Sequence, residues 1–286
     1  MSRDIFNRDK GFYKKLELKP KAGKHEDTYT PEPVKVISKK EEAPNTYTLR
    51  LKKKIKHDPG QFLQCSILGC GEAPISFGGW SPDHVEINVK VVGRVSKEIC
   101  ALKKGDSLHI RGPYGHGYPM SHMKGNDLII VAAGTGVAPV RGVIQYVEKH
   151  RKDFGDVHLF FGFRNPESIL FKDDMLRWKK KFNLCVSISR APEGYVGKTG
   201  HCTDALEEAD LSNGNKIAII CGPPIMISQG ANILKAKGFN EDQIYVSHER
   251  HMKCATGVCG HCMIKGQYCC RDGPVFRYDK IGNPKE

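Results

Sequence analysis

Short runs of alternating hydrophobic and polar residues occupy the chain between residues 34 and 111. They fall at residues 34–37, 46–51, 61–68, 85–92 and 107–111, with Gly, Pro, Asn and Asp between them. Alternation with a period of two indicates half-buried strands, and short, evenly spaced strands are typical of a small antiparallel barrel. The pattern therefore predicts an antiparallel β-barrel domain over residues 34–124.

The pattern changes after residue 125 to continuous apolar runs alternating with amphipathic stretches. The apolar runs are residues 127–133, 157–163, 184–189 and 216–222; the amphipathic stretches include residues 140–150, 172–178 and 225–237. Continuous apolar strands separated by helices predict an α/β domain with a doubly wound parallel sheet over residues 125–247.

Two turns at predicted strand ends are candidate ligand sites. Gly134, Thr135 and Gly136 stand between a strand and a helix, where amide groups can bind a pyrophosphate; a tight turn without a ligand is the alternative. Cys221, Gly222 and Pro223 end another strand, so the thiol would face the same crevice. The alternative is a buried small cysteine before a rigid turn.

A cysteine cluster stands in the C-terminal segment, residues 248–286. Cys254, Cys259, Cys262 and Cys270 have the spacing C-x4-C-x2-C-x7-C. This spacing is typical of plant-type [2Fe-2S] ligation, in which glycines such as Gly257 and Gly260 allow a tight loop with amides directed at sulfur. A structural zinc site is the alternative, although it usually has two C-x2-C pairs. Spacing alone does not decide between Cys269 and Cys270.

Composition limits the class of protein. The chain has 286 residues, eleven cysteines and a net charge of +13. A start without a signal-peptide pattern and the absence of a long apolar run predict a cytoplasmic protein without a membrane span or disulfides. The basic residues are dispersed, which argues against nucleic-acid binding and favours an acidic redox partner or a solvated surface. Residues 1–33 are predicted to be an extension along the body or against a partner.

Taken together, the motifs resemble the ferredoxin-NADP reductase superfamily, and most closely its branch with a C-terminal [2Fe-2S] module. That branch includes the electron-transfer subunit of dihydroorotate dehydrogenase, the gamma subunit of archaeal sulfhydrogenases and the corresponding subunit of anaerobic sulfite reductase. The resemblance covers about residues 34 to 280. Residues 71–76, 112–119, 169–174 and 222–227 look most like the sulfite reductase and sulfhydrogenase subunits. The ending Cys-Arg-Asp-Gly-Pro selects Cys270 over Cys269 as the ligand.

The resemblance implies FAD in the barrel, with FMN as the alternative. The flavin-binding Arg-x-Tyr-Ser of the family corresponds to Ala73, Pro74, Ile75 and Ser76, so the arginine and the tyrosine are missing. Ser76 is expected beside the flavin N5. Residues Gly93, Arg94, Val95 and Ser96 match the segment that meets the pyrophosphate, and Arg94 or Lys97 would replace the missing charge. Without the family context, this segment is only a strand-to-helix turn with a serine cap.

The nicotinamide nucleotide is expected to be NADPH, with NADH as the alternative. Ser189 and Arg190 end the third strand of the predicted parallel sheet. They look like the pair that binds the 2′-phosphate in NADPH-using members of the family, and arginine offers a fork for phosphate. A solvated surface arginine is the other interpretation.

The resemblance implies a diaphorase: hydride passes from the nicotinamide near Cys221 to the flavin beside Ser76, and single electrons then pass to the cluster. Because the sequence offers no terminal reduction site, we expect a hetero-oligomer that docks through the face around residues 254–271. Its partner would be a sulfite reductase, hydrogenase or heterodisulfide reductase type of catalytic subunit. A stand-alone reductase working with ferredoxin, and a structural subunit without flavin, are the alternatives.

Overall fold

The computed structural model describes residues 29–211 and 215–282. These residues form a six-stranded sheet, a seven-stranded sheet and a two-stranded hairpin. Most of the predicted extension lies outside the described residues, and its last two residues, Glu32 and Pro33, already belong to the first strand.

The six-stranded sheet is antiparallel and contains all five strands predicted from alternation. Its strands are β1 (Glu32–Ala43), β2 (Thr46–Leu51), β3 (Phe62–Ile67), β4 (Gly71–Ser76), β5 (Val85–Lys90) and β6 (Ser107–Tyr114). They lie in the order β4-β3-β6-β1-β2-β5. An antiparallel bridge between Phe77 and Ile87 brings the two outer strands together. Alternation did not predict β4, because this strand is half-exposed and contains Pro74. Helices α1 (Arg94–Ala101) and α2 (Met120–Met123) flank β6.

The seven-stranded sheet contains the predicted parallel strands, which alternate along the chain with helices. Its parallel strands are β7 (Asp127–Ala133), β8 (Val157–Phe163), β9 (Asn183–Ile188), β10 (Lys198–Thr199), β11 (Lys216–Cys221) and β12 (Ile244–Ser247). The helices that follow them are α3 (Val137–Lys149), α4 (Lys172–Lys179), α5 (Cys202–Glu208) and α6 (Pro224–Ala236). The strand order is β10-β9-β8-β7-β11-β12. Within the described ranges, no helix is both long enough and apolar enough to cross a bilayer.

The C-terminal segment is built into this sheet. Strands β13 (Met263–Ile264) and β14 (Gln267–Tyr268) form the hairpin, and helix α7 (Tyr278–Ile281) ends the described chain. Strand β15 (Val275–Arg277) pairs antiparallel with β12. Three residues are too few for a periodic signal, so the sequence did not predict β15. Cys262, Ile264 and Phe276 share an apolar core with Ile220 of β11 and Leu234 of α6.

A buried ion network joins the two large sheets. The Arg141 guanidinium of α3 donates to the Glu86 carboxylate of β5, to the Gly78 carbonyl at 2.7 Å and to the Asp174 carboxylate of α4 at 2.5 Å. Burial by itself would raise the pKa of Glu86, but the Arg141 charge outweighs it and holds the pKa at about 2. The Glu86 carboxylate is therefore ionised at neutral pH. Its charge and its hydrogen bond hold the Arg141 guanidinium in place.

Candidate functional site

The crossover of the parallel sheet lies between β7 and β11. The chain first adds β8, β9 and β10 on one side of β7 and then returns to add β11 and β12 on the other. Ala132 pairs with Cys221, so the turns after these two strands lie side by side. Ligands of open α/β sheets bind at such a point. A Cβ atom on Gly136 would lie 2.4 Å from the Cys221 carbonyl oxygen, so only glycine permits this approach.

A cleft of about 760 Å³ opens at these turns, and we call it the parallel-sheet cleft. Six predicted residues line it: Gly134, Thr135, Gly136, Ser189, Gly222 and Pro223. Arg190 does not line it, whereas Arg164 and His201 do. The Arg190 amide donates to the Arg164 carbonyl oxygen at 2.7 Å, so the two arginines are neighbours at adjacent strand ends. The sequence analysis did not select Arg164, because Ser189 and Arg190, directly after β9, match the pair expected from the family.

A second cleft, of about 740 Å³, is lined by β4 and the start of α1, and we call it the antiparallel-sheet cleft. The predicted residues that line it are Pro74, Ile75, Ser76, Gly93, Arg94, Val95 and Ser96. The Ser96 hydroxyl accepts from the Val92 and Gly93 amides, each at 2.9 Å. Its oxygen therefore stabilises the start of α1, as the structural alternative for this segment predicted.

Cations at the antiparallel-sheet cleft differ partly from those expected. Of the two predicted replacements for the missing arginine, Arg94 is among the lining residues and Lys97 is not. Lys90, the last residue of β5, lines both clefts. No sequence signal distinguished Lys90, because a lysine at the end of an alternating strand is normally a solvated residue.

The two clefts meet at four residues, Lys90, Thr135, His248 and Glu249, which line both. Desolvation by surrounding protein raises the pKa of Glu249. Cys221 lines neither cleft. Burial and the nearby Glu249 charge raise the pKa of its thiol to about 12, so it is protonated at neutral pH. The predicted cysteine thus lies behind the cleft wall, against the Gly136 turn.

His248 is the most unusual polar residue at this junction. It is buried, and its Nε2 has no hydrogen-bond partner within the described residues. Burial, assisted by the Arg250 and Lys265 charges, lowers the pKa of His248 to about 4, so the imidazole is neutral. Buried polar atoms are normally paired, so an unpaired ring nitrogen beside two clefts fits a site completed by a polar ligand.

The loop that carries the four predicted cysteine ligands directs amides at sulfur, as predicted. The Gly257 amide donates to Cys270 Sγ at 3.2 Å, and the Cys270 amide donates to Cys262 Sγ at 3.4 Å. The Thr256 and Cys259 amides donate to Cys254 Sγ at 3.5 and 3.4 Å. Gly257 and Gly260 have φ values of +75° and +72°, which the tight loop requires.

Electrostatics at these sulfurs differ between the two ends of the loop. Partial burial opposes ionisation of Cys254, but amides of Thr256, Cys259 and Val258 lower its pKa to about 6. Burial raises the pKa of Cys270 to about 12, so binding of a metal must release this proton. Within residues 29–211 and 215–282, no three His, Cys, Asp or Glu side chains form a site for a metal ion. A [2Fe-2S] cluster uses four cysteines, two on each iron, together with amides directed at sulfur.

Two family models match separate parts of the chain. Residues 130–231 match the oxidoreductase NAD-binding domain. Residues 249–282, which include all four predicted ligands, match the iron-sulfur cluster binding domain of dihydroorotate dehydrogenase B. This second match favours an iron-sulfur cluster over the zinc alternative.

Relatives match the chain over most of its length. Sulfhydrogenase 2 subunit gamma of Pyrococcus furiosus is 37% identical, over 77% of this chain and 83% of that subunit. A probable electron transfer subunit of dihydroorotate dehydrogenase B from Methanopyrus kandleri is 32% identical, over 88% of this chain and 92% of that subunit. The chain belongs to this family of electron-transfer subunits. The resemblance inferred from the sequence is therefore confirmed, and the protein is an NAD(P)H-dependent oxidoreductase subunit.

Solved structures share the fold of this electron-transfer subunit. A structure of an NADH-dependent reduced ferredoxin-NADP oxidoreductase superposes with a TM-score of 0.74 at 22% identity, covering 88% of this chain and 90% of that chain. A ferredoxin NADP+ reductase from Neisseria gonorrhoeae has a TM-score of 0.66 at 20% identity, covering 76% of this chain and 98% of that chain. At this identity the likeness concerns the fold alone.

Proposed function

We propose that this electron-transfer subunit is the diaphorase of a larger redox complex and carries FAD and a [2Fe-2S] cluster. Such a flavin accepts hydride from a nicotinamide and releases single electrons, which the cluster passes on. The observation that carries the proposal is the course of residues 247–252. They line the antiparallel-sheet cleft and lead directly to Cys254, the first cluster ligand.

The two clefts divide the cofactors between them. The nicotinamide nucleotide binds in the parallel-sheet cleft with its pyrophosphate at the Gly134–Gly136 turn. FAD binds in the antiparallel-sheet cleft, with its ring near Ser76 and its pyrophosphate near Gly93. The Phe77–Ile87 bridge supports closure of the antiparallel sheet into a barrel. The two cofactors would come closest at the residues that line both clefts.

The partner is a catalytic redox subunit that docks on the cluster loop. The relatives are subunits of sulfhydrogenase and of dihydroorotate dehydrogenase B, which supports a hetero-oligomer with a catalytic partner subunit. We propose a hydrogenase or sulfite reductase type of partner, because residues 71–76 and 112–119 look most like the sulfhydrogenase and sulfite reductase subunits. Cys259 is exposed, and Val258 and Met263 expose 72% and 45% of their surface. Residues 250–271 contain Arg250, Lys253, Lys265 and Arg271 but no Asp or Glu. An apolar centre with a basic rim fits a partner with an acidic rim.

Cofactor content tests the core of the proposal. Protein purified without oxygen should contain one FAD, two irons and two acid-labile sulfides per chain. Chromatography of the flavin released by denaturation distinguishes FAD from FMN. Protein without flavin would support the structural-subunit alternative, and a content of four irons would contradict the cluster type.

Docking is tested with two soluble acceptors of opposite charge, an acidic plant-type ferredoxin and basic cytochrome c. At low ionic strength Lys253→Glu should lower kcat/KM for the ferredoxin about tenfold and should not lower it for cytochrome c. The matched control is Lys179→Glu on helix α4, which is also an exposed lysine. Equal effects of the two variants on the ferredoxin reaction would contradict docking at the loop.

A further inference from the structure

Arg111 is a buried arginine whose hydrogen bonds reach two distant parts of the chain. It lies on β6, and the residue is only 8% exposed. Its Nε and one terminal nitrogen donate to the two oxygens of the Glu72 carboxylate, the first at 2.8 Å. Its other donors reach the Tyr114 hydroxyl at 3.1 Å, the Cys254 carbonyl at 2.9 Å and the Lys253 carbonyl at 3.3 Å. These contacts match the five N–H donors of a guanidinium.

Glu72 connects this arginine to the antiparallel-sheet cleft, because it lies on β4 and lines that cleft. The Ser66 hydroxyl also donates to its carboxylate, at 2.7 Å. Burial opposes ionisation of Glu72, but the bonds from Arg111 and Ser66 lower its pKa. The pair is therefore charged and held in a two-pronged geometry that fixes both side chains.

Cys254 connects the same arginine to the cluster loop. Arg111 and Cys254 are 143 residues apart in the chain, and the guanidinium bonds to the main chain of two successive loop residues. Main-chain contacts fix the path of the loop where it leaves the cleft wall. They do not depend on the identity of the side chains at the two loop positions.

We propose that Arg111 is a positioning residue that fixes the cluster loop against the flavin-binding wall, with Glu72 as its anchor. The inference rests on the proposed function, because it assumes flavin in the antiparallel-sheet cleft and a cluster on the loop. Transfer of an electron between two centres slows steeply as their separation grows or fluctuates. A rigid link between β4 and Cys254 therefore keeps the transfer fast.

The guanidinium also affects the cluster electrostatically. Net charge and hydrogen bonds near the ligands set the potential of an iron-sulfur centre. A positive group bonded to the main chain of a ligand favours the more negative, reduced state. Loss of this charge should therefore lower the cluster potential, whereas a purely structural role in folding would leave the potential of the folded variant unchanged.

The experiment uses the full chain loaded with flavin and cluster. Rapid mixing with NADPH gives the rates of flavin and cluster reduction, and a redox titration followed by electron paramagnetic resonance gives the cluster potential. For Arg111→Gln we expect the ratio of cluster reduction to flavin reduction to fall about tenfold or more, with a lower cluster potential. Arg111→Lys keeps the charge without the fork, so its potential should be close to that of the wild type while the ratio still falls.

The matched control is Arg177→Gln, because Arg177 makes the same two-pronged contact with Glu148 away from both clefts. A folded Arg111→Gln protein with the wild-type ratio and potential would overturn the proposal. If that variant does not fold, Arg111→Lys decides: a lowered ratio supports the proposal and an unchanged ratio overturns it. If the wild-type protein lacks a flavin and a cluster that NADPH can reduce, the proposed function itself is contradicted.

Discussion

The Cys269 thiol donates a hydrogen bond to the His248 carbonyl oxygen, with Sγ and O 3.1 Å apart. Cys269 is fully buried, and its amide bonds to the Cys262 carbonyl at 3.2 Å. The neighbouring Cys270 sulfur instead accepts the amide of Gly257. The two adjacent cysteines thus have different environments. Cys269 attaches the loop to the cleft wall, whereas the Cys270 sulfur is one of the sulfurs that accept hydrogen bonds from loop amides.

The first prediction separates these two cysteines. Cys270→Ser should lose most of the iron and acid-labile sulfide, because a cluster ligand is removed. Cys269→Ser should keep both, since the serine hydroxyl can donate to the same carbonyl. Iron and sulfide analysis with the visible spectrum makes the comparison. Retention in Cys270→Ser together with loss in Cys269→Ser would reverse the assignment.

The sequence was sufficient for those parts of the fold that have a strong local signal. Alternation predicted β1, β2, β3, β5 and β6 of the antiparallel sheet, and continuous apolar runs predicted β7, β8, β9 and β11. The sequence did not predict β4, which is half-exposed, or the short strands β10, β12, β13, β14 and β15, which are defined by their partners. The spacing of the cysteines was enough to predict the cluster loop.

The residues at the junction of the clefts were harder to predict. Lys90, His248 and Glu249 have no local motif that distinguishes them from solvated residues, and they meet only because two separate sheets fold against each other. Arg111 is a similar case, since its role depends on contacts with a carboxylate on another strand and a loop 143 residues away. Such residues are found from tertiary contacts and not from spacing.

The second prediction concerns the preference between NADPH and NADH. Because Arg164 lines the parallel-sheet cleft, Arg164→Ala should raise KM for NADPH about tenfold or more and change KM for NADH little. Arg190→Ala, at the position expected from the sequence, should have the smaller effect. Steady-state kinetics with both nucleotides make the comparison. If only Arg190→Ala loses NADPH use selectively, Arg190 and not Arg164 binds the 2′-phosphate, as the sequence first indicated.

The third prediction concerns the close approach at the sheet crossover. Gly136→Ala should destabilise the protein by about 1–3 kcal/mol and weaken nucleotide binding, because the new methyl group collides with the Cys221 carbonyl. Gly230→Ala is the control. It lies within α6, where the nearest atom is the end of the Ile220 side chain and alanine favours the helix. Chemical denaturation and nucleotide titration measure both effects; equal stability and binding in the two variants would contradict the steric argument.

The fourth prediction is a pH dependence of stability that arises from Glu86. Its pKa of about 2 in the folded protein lies below the ordinary value of 4.5, so its stabilising contribution is present above about pH 4.5 and is lost as the pH falls towards 2. Glu86→Gln should lower the free energy of unfolding by about 3 kcal/mol at pH 7, because Arg141 loses a buried partner.

The difference between wild type and Glu86→Gln should shrink as the pH falls from 4.5 to 2. Urea denaturation at several pH values measures it, with Glu98→Gln, an exposed carboxylate on α1, as the control. A difference that stays constant across this range would mean that the Glu86 charge does not stabilise the junction of the sheets.

The most direct test of the proposed function is an anaerobic titration of the purified protein with NADPH, followed by visible absorption. We expect flavin bands and a broader iron-sulfur absorption, both of which bleach. The cluster is reduced by electrons that first enter the flavin. A flavin band that bleaches while the iron-sulfur absorption stays unchanged would contradict the proposed route from nucleotide to cluster. A spectrum without a flavin band would contradict the proposed diaphorase function altogether.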